Sequence, residues 1–169
     1  MLLVVAGCAP VVLRGSPETI SGPPPPRVPT LKAVEPCSLL TAEEAAGIGL
    51  APGWPDQLAD LRQCWYDKKG ESRPASGSIF VDEGPGKGAD DLKPPGLIDE
   101  AGVRNEVIAG HPTTSFPSSD GLRCMITIDV NTDENVTVQS SLKVAGQPES
   151  ACAIARKMVG FIAPRLPKK

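Results

Sequence analysis

The chain has 169 residues and a formal net charge of −3, from 17 Lys and Arg against 20 Asp and Glu. So balanced a charge lacks the clustered basic surface that attraction to phosphate requires, which argues against nucleic-acid binding. The length suits one ordinary domain plus a tail, and no apolar run reaches the roughly 20 residues of a bilayer-spanning helix.

At the start of the chain, Val5-Ala6-Gly7-Cys8 resembles a bacterial lipobox. In that motif small residues admit a signal peptidase to the backbone, and the cysteine thiol receives a diacylglycerol. Cleavage then leaves the cysteine as the first residue. Cys8 is therefore the expected lipidation site, with acyl chains such as palmitate contributing about 0.8 kcal/mol per buried CH₂ to membrane anchoring. A signal peptide carries a basic n-region and an apolar stretch of about 7–15 residues. Here Met1 is followed at once by Leu2-Leu3-Val4-Val5, so residues 1–7 read as a signal-peptide remnant whose true start lies upstream. The plain alternative is a chance cysteine in a frayed apolar tail. The cysteine count favours the lipobox: Cys8, Cys37, Cys64, Cys124 and Cys152 make an odd set, awkward for an exported protein unless one thiol has another use.

Residues 8–35 include Pro23 to Pro26 in succession and show neither strand nor helix periodicity. Proline fixes φ and favours an extended polyproline II spacer, so this stretch reads as a lipidated tether between a membrane and a folded head spanning residues 36–169. In "CSLLTAEEAAGIGL", Thr41 and Glu44 form a capping box. The expected helix runs from Ala42 to Ile48, with Gly49 at the left-handed C-cap position and Leu40 placed to staple onto Ala45. Trp54, in "APGWPDQ", reads as a loop residue covering the end of this helix.

Weak strands are expected over Cys64–Asp67, Ser78–Asp82, Val103–Ala109 and Thr113–Phe116, with "DEGPGKGADDLKPPG" between them as a long mobile loop. The clearest strands follow. Leu122, Cys124, Ile126, Ile128 and Val130 alternate with Arg123, Met125, Thr127 and Asp129. After the turn "NTDEN", Val136, Val138, Leu142 and Val144 alternate with Thr137, Gln139, Ser141 and Lys143. This predicts a hairpin with one buried and one largely wet face. A last helix is expected from Pro148 to Ala163, ended by Pro164. Its stripe of Ala151, Ala155, Met158, Val159 and Ile162 is suited to the apolar side of the hairpin.

Four cysteines allow three pairings. The final helix starts near the sheet end carrying Leu122 and Val144. Cys124 lies one pair in from that end and Cys152 about one turn into the helix, so these two thiols can meet. Cys37, beside the first helix, is left for Cys64.

Taken together, "EPCSLLTAEEAAGIGL", "CWYD", "CMITIDV" and "ACAIARKMVGFIAPRLP" resemble an actinobacterial lipoprotein family, known as a domain of unknown function, number thirty-five fifty-eight. The resemblance covers about Glu35 to Pro167. It implies export, lipidation at Cys8 and a place in an actinobacterial cell envelope, and it implies no activity. A "GHP" stretch stands where relatives would carry Gly-Arg-Pro, which puts any role of His111 in doubt.

Catalytic readings find little purchase. A Ser-His-Asp or Cys-His site would have to use His111, which lies between Gly110 and Pro112 and reads as an exposed turn histidine. No nucleophile elbow, P-loop or dinucleotide fingerprint is present. "GPGKG" lacks phosphate-loop spacing, and without a C-x-x-C no zinc pattern emerges. The carboxylate pairs Asp90-Asp91 and Glu43-Glu44 read as solvated or as helix starts, and Trp65 as a packing residue.

The sequence thus predicts an α+β domain: an antiparallel sheet of about five to six strands with the N-terminal and C-terminal helices on one face, the alternative being a three-layer version with the wet face partly covered. The protein is expected to be non-enzymatic, with no cofactor and no metal. It is expected to be anchored to the cell membrane through Cys8 on the extracytoplasmic face, binding an envelope protein or a small ligand and no nucleic acid. The polar sheet face around Thr127, Asp129, Thr137, Gln139 and Ser141 is one candidate contact surface, against the plainer reading of a solvated sheet face. An envelope hydrolase with a hidden site and a purely structural component are the alternatives.

Overall fold

Val, Ile and Thr at alternating positions of residues 123–142 form the centre of the fold, as β-branched side chains favour on a pleated surface. A computed structural model describes residues 30–58, 61–67, 75–83, 98–144 and 149–168. Strands β6 (Arg123–Asp129) and β7 (Glu134–Leu142) pair antiparallel, with Ile126 opposite Val138 and Ile128 opposite Val136. On the other side of β7 lies β3 (Ala75–Glu83), with Ile79 opposite Val138 and Val81 opposite Val136. The remaining strands are β1 (Trp54–Leu58), β2 (Leu61–Tyr66), β4 (Arg104–Ile108) and β5 (His111–Pro117). All form one seven-stranded sheet in the order β1-β2-β3-β7-β6-β5-β4, every pair antiparallel. Seven strands replace the five to six expected. The addition is β1, which takes up the supposed loop residue Trp54. Its Pro55 suits an edge strand, where one side needs no ladder hydrogen bonds.

The helix α1 (Ala42–Gly47) has the predicted capping box: Glu44 N donates to Thr41 Oγ1, and Thr41 N donates to Glu44 Oε2. Gly49 follows with φ 79°. Only Ala45 of this helix is fully buried. What packs on β2 and β3 is the 3-10 turn Pro36–Ser38 just before it, because Cys37 in that turn is tied to Cys64 in β2. The expected N-terminal helix layer is therefore corrected to a short turn plus a flanking helix. Packing also reaches back into the supposed tether. Leu31 is fully buried, which contributes about 1.5–3 kcal/mol. Its amide donates to Glu134 Oε2 at 3.0 Å, while Arg62 donates to the Leu31 and Val34 carbonyls at 2.9 and 2.7 Å.

The helix α2 (Ala151–Ile162) covers β6 and β7. Ala151, Ile154, Ala155, Met158, Val159 and Ile162 are its buried stripe, at the spacing that puts one helical face on a core. It begins later than the expected Pro148, because Ser150 is the N-cap and accepts from Ala153 N. Likewise β7 ends at Leu142, and Val144 is exposed. Among the described residues no helix is long and apolar enough to cross a membrane.

Candidate functional site

The sheet has two faces, and α2 occupies one. On the other, the register aligns one residue from each of six strands in a single row: Trp54, Trp65, Ser78, Gln139, Met125 and Phe116. At one end of this row the two tryptophans stack with ring centroids 6.5 Å apart, and Phe80 meets Trp65 edge-on at 6.1 Å. The Trp54 indole N–H donates to Asp67 O and Oδ1 at 3.1 and 3.0 Å. At the other end Phe116, Met125 and Gln139 line a cavity of about 100 Å³, together with Ile98, Ser118 and Arg123.

The wall of this cavity is built by the β5–β6 turn. Asp120 Oδ1 accepts from Ser118 Oγ at 2.5 Å and from Leu122 N at 2.9 Å. These two hydrogen bonds, Ser118 foremost, hold the Asp120 carboxyl below its ordinary range. The Ser118 hydroxyl also accepts from Arg123 N at 2.8 Å, and Gly121 supplies the positive φ of 70°. Ile98 bridges Ser118, and Asp99 N donates to Pro117 O at 2.9 Å, which seats Ile98 against the cavity. From the far side of β6, Cys124 is bonded to Cys152 of α2. The lining is thus apolar, with a guanidinium and a carboxamide. Such a site can hold an apolar group and an anion beside it.

The sequence-predicted residues fall as follows. The structure contains Cys37–Cys64 and Cys124–Cys152, the expected pairs, with Cα atoms 5.0 and 4.9 Å apart. Cys8, the segment 8–29, the GPGKG stretch and Pro148 lie outside the described residues. Thr127, Asp129, Thr137, Gln139 and Ser141 do share one face of the hairpin. That face is not the wet one expected: Thr127 is 0% exposed and Thr137 5%. Their hydroxyls meet at 3.2 Å, and Thr137 Oγ1 also donates to Asn135 Oδ1, so polar side chains are buried here because they satisfy one another. Asp129, Gln139 and Ser141 are half-buried, and of the five only Gln139 lines the cavity.

His111 is also corrected. It is 2% exposed and opens β5. The turn lies just before it, at Ala109 and Gly110, whose φ values of 54° and 92° make a tight two-residue hairpin between Ile108 and His111. Its side chain points to the opposite face of the sheet from Phe116, since the two positions differ by an odd number on one strand.

Sequence reasoning missed Ile98, Phe116, Arg123 and Met125 as site residues. The one available signal was Met125, an apolar side chain on an otherwise polar strand face.

A family model described as "Protein of unknown function (DUF3558)" matches residues 3–165. No curated protein and no solved structure matches the chain.

Proposed function

We propose that this chain, which belongs to the family described as Protein of unknown function (DUF3558), is an exported lipoprotein of an actinobacterial cell envelope. It is held to the extracytoplasmic face of the membrane through Cys8 and works as a non-catalytic binding module. Its partner is an envelope protein or a small ligand, met on the sheet face opposite α2.

The observation that carries this reading is the use of the cysteines. Two disulfides join remote elements, over sequence separations of 27 and 28. Cytosolic glutathione and thioredoxin keep such thiols reduced, so paired cysteines speak for an oxidising compartment. They also consume four of the five cysteines and leave Cys8, the one in the lipobox-like stretch. Acyl chains on that thiol would supply the anchoring energy.

Metabolic labelling with an alkyne fatty acid tests the anchor. The protein should label and sediment with membranes, and Cys8→Ala should abolish both. Persistent labelling and sedimentation of Cys8→Ala would overturn the reading.

A further inference from the structure

We infer that the cavity between Ile98, Phe116 and Met125 binds a small apolar carboxylate, with the carboxylate held by Arg123. This rests on the reading of the protein as a binding module and names its ligand class.

Size limits the apolar part. The cavity measures about 100 Å³, whereas an apolar cavity of about 150 Å³ admits benzene. A branched tail of about four carbons therefore fills it. The walls suit such a tail: Phe116 is buried, and Met125 is half-buried, with a side chain that adapts to irregular shapes.

Charge chooses the head group. Arg123 lines the same cavity and is exposed, and its side chain makes no hydrogen bond or ion pair with any described residue. Its exposed neighbour Asp120 spends hydrogen bonds on Ser118 and Leu122 and acts on Arg123 through its charge, without an ion-pair contact. The guanidinium, whose charge the Asp120 carboxylate meets only in part, keeps a planar fork matching a carboxylate. The Gln139 carboxamide, likewise without a side-chain hydrogen bond to a described residue, offers one further donor. The site is also preorganised. Asp120 fixes the turn from one side, and the Cys124–Cys152 bond fixes β6 from the other, so little ordering is required on binding.

The methionines provide the test. The chain has three, Met1, Met125 and Met158. Met125 lines the cavity, and Met158 of α2 lies fully buried on the opposite side of the sheet. The full chain carrying Cys8→Ser has no acylated thiol, and its ¹³C-methyl methionine spectrum can be followed as 3-methylbutanoate is added. The Met125 methyl should shift and saturate while the Met158 methyl stays in place. The neutral 3-methylbutanamide and the tail-less acetate should each bind about tenfold more weakly. Arg123→Gln should bring the acid down to the level of the amide, and Arg123→Lys should recover part of the loss. The Met158 methyl reports whether each variant is folded. Should a variant disturb it, the acid–amide comparison on the parent chain decides. A silent Met125 methyl up to the solubility of the acid, or equal affinities for acid and amide, would overturn the proposal. Neither result depends on Cys8 labelling, so the site and the membrane anchor stand or fall separately.

Discussion

Arg165 and Glu44 join the 3-10 turn Ala163–Arg165, which follows α2, to α1: Nη1 donates to Oε2 at 2.8 Å and Nη2 to Oε1 at 2.6 Å. The same Nη1 donates to the Leu39 carbonyl at 2.6 Å, so one guanidinium fastens both the α1 carboxylate and the chain leading into it. Glu44 also accepts the Thr41 amide as part of its capping box. The Arg165 hydrogen bond, followed by the Thr41 amide, lowers the Glu44 carboxyl from 4.5 to about 2.

Acid sensitivity follows from this pair. The folded carboxyl titrates below its unfolded value, so its contribution is complete above about pH 4.5 and is lost as pH falls toward about 2. The side chains remain 38% and 20% exposed, and solvent screening keeps the contribution to about 0.5–1 kcal/mol. Arg165→Gln should therefore lower the unfolding free energy near neutral pH by that amount, read as a lower urea midpoint. The gap from the parent chain should narrow as the titration nears the folded pKa, leaving the share of the Leu39 hydrogen bond. A gap of constant size down to that pH would show that the carboxylate is not the partner that matters.

Loss of either disulfide should be far more costly. With separations of 27 and 28 residues, the chain-entropy model gives about 3–4 kcal/mol for each bridge. Paired Cys→Ser replacements, Cys37 with Cys64 or Cys124 with Cys152, should each lower the unfolding free energy by about that much. Equilibrium urea unfolding under non-reducing conditions measures it. A change below about 1 kcal/mol in either pair would mean that the bridge constrains little of the unfolded chain.

The β4–β5 hairpin carries a residue its turn disfavours. Ala109 has φ 54° and Gly110 has φ 92°. A two-residue turn of this kind needs positive φ at both positions, and an L-residue with a Cβ is strained there by about 1 kcal/mol. Ala109→Gly or Ala109→Asn should raise the thermal midpoint, corresponding to about 0.5–1 kcal/mol. A lowered midpoint would show that the Ala109 methyl makes a contact worth more than the strain.

How far the sequence spoke for itself depended on the length of each periodic run. The β6–β7 hairpin and α2 were legible because their apolar positions repeat at two residues and at helical spacing over long stretches. The disulfides were legible because the start of α2 is carried back to the Cys124 end of β6. β1 was not, since "WPDQL" does not alternate, contains proline, and has a neighbour on one side only. Gly110-His111-Pro112 suggested a turn at the histidine; the true turn lies one step earlier, and His111 goes inward with β5. Alternation placed Thr127 and Thr137 on the polar face correctly but could not show that they pair with each other and are buried. The cavity was the least legible of all. Its walls come from residues 98, 116, 125 and 139 on separate segments, and only the tertiary register brings them into one place.

Two glycine replacements should act with opposite sign. A Cβ at Gly53 would lie 2.7 Å from both Cys64 Sγ and Tyr66 Cε1. Neither can retreat, because Cys64 is bonded to Cys37 and the buried Tyr66 hydroxyl donates to the Leu40 carbonyl at 3.1 Å. Burial of that ring also raises the phenol pKa above its ordinary value, against the pull of the Leu40 hydrogen bond. Gly53→Ala should therefore destabilise the fold by about 1–3 kcal/mol through overpacking. Gly160 lies in the last part of α2, is exposed, and a Cβ there meets nothing within 4 Å. Gly160→Ala should stabilise by about 0.5–1 kcal/mol, because alanine loses less backbone entropy on entering a helix. Urea midpoints of the two variants measure the contrast. A destabilised Gly160→Ala would mean that the exposed side of α2 is in contact with something that needs the missing side chain.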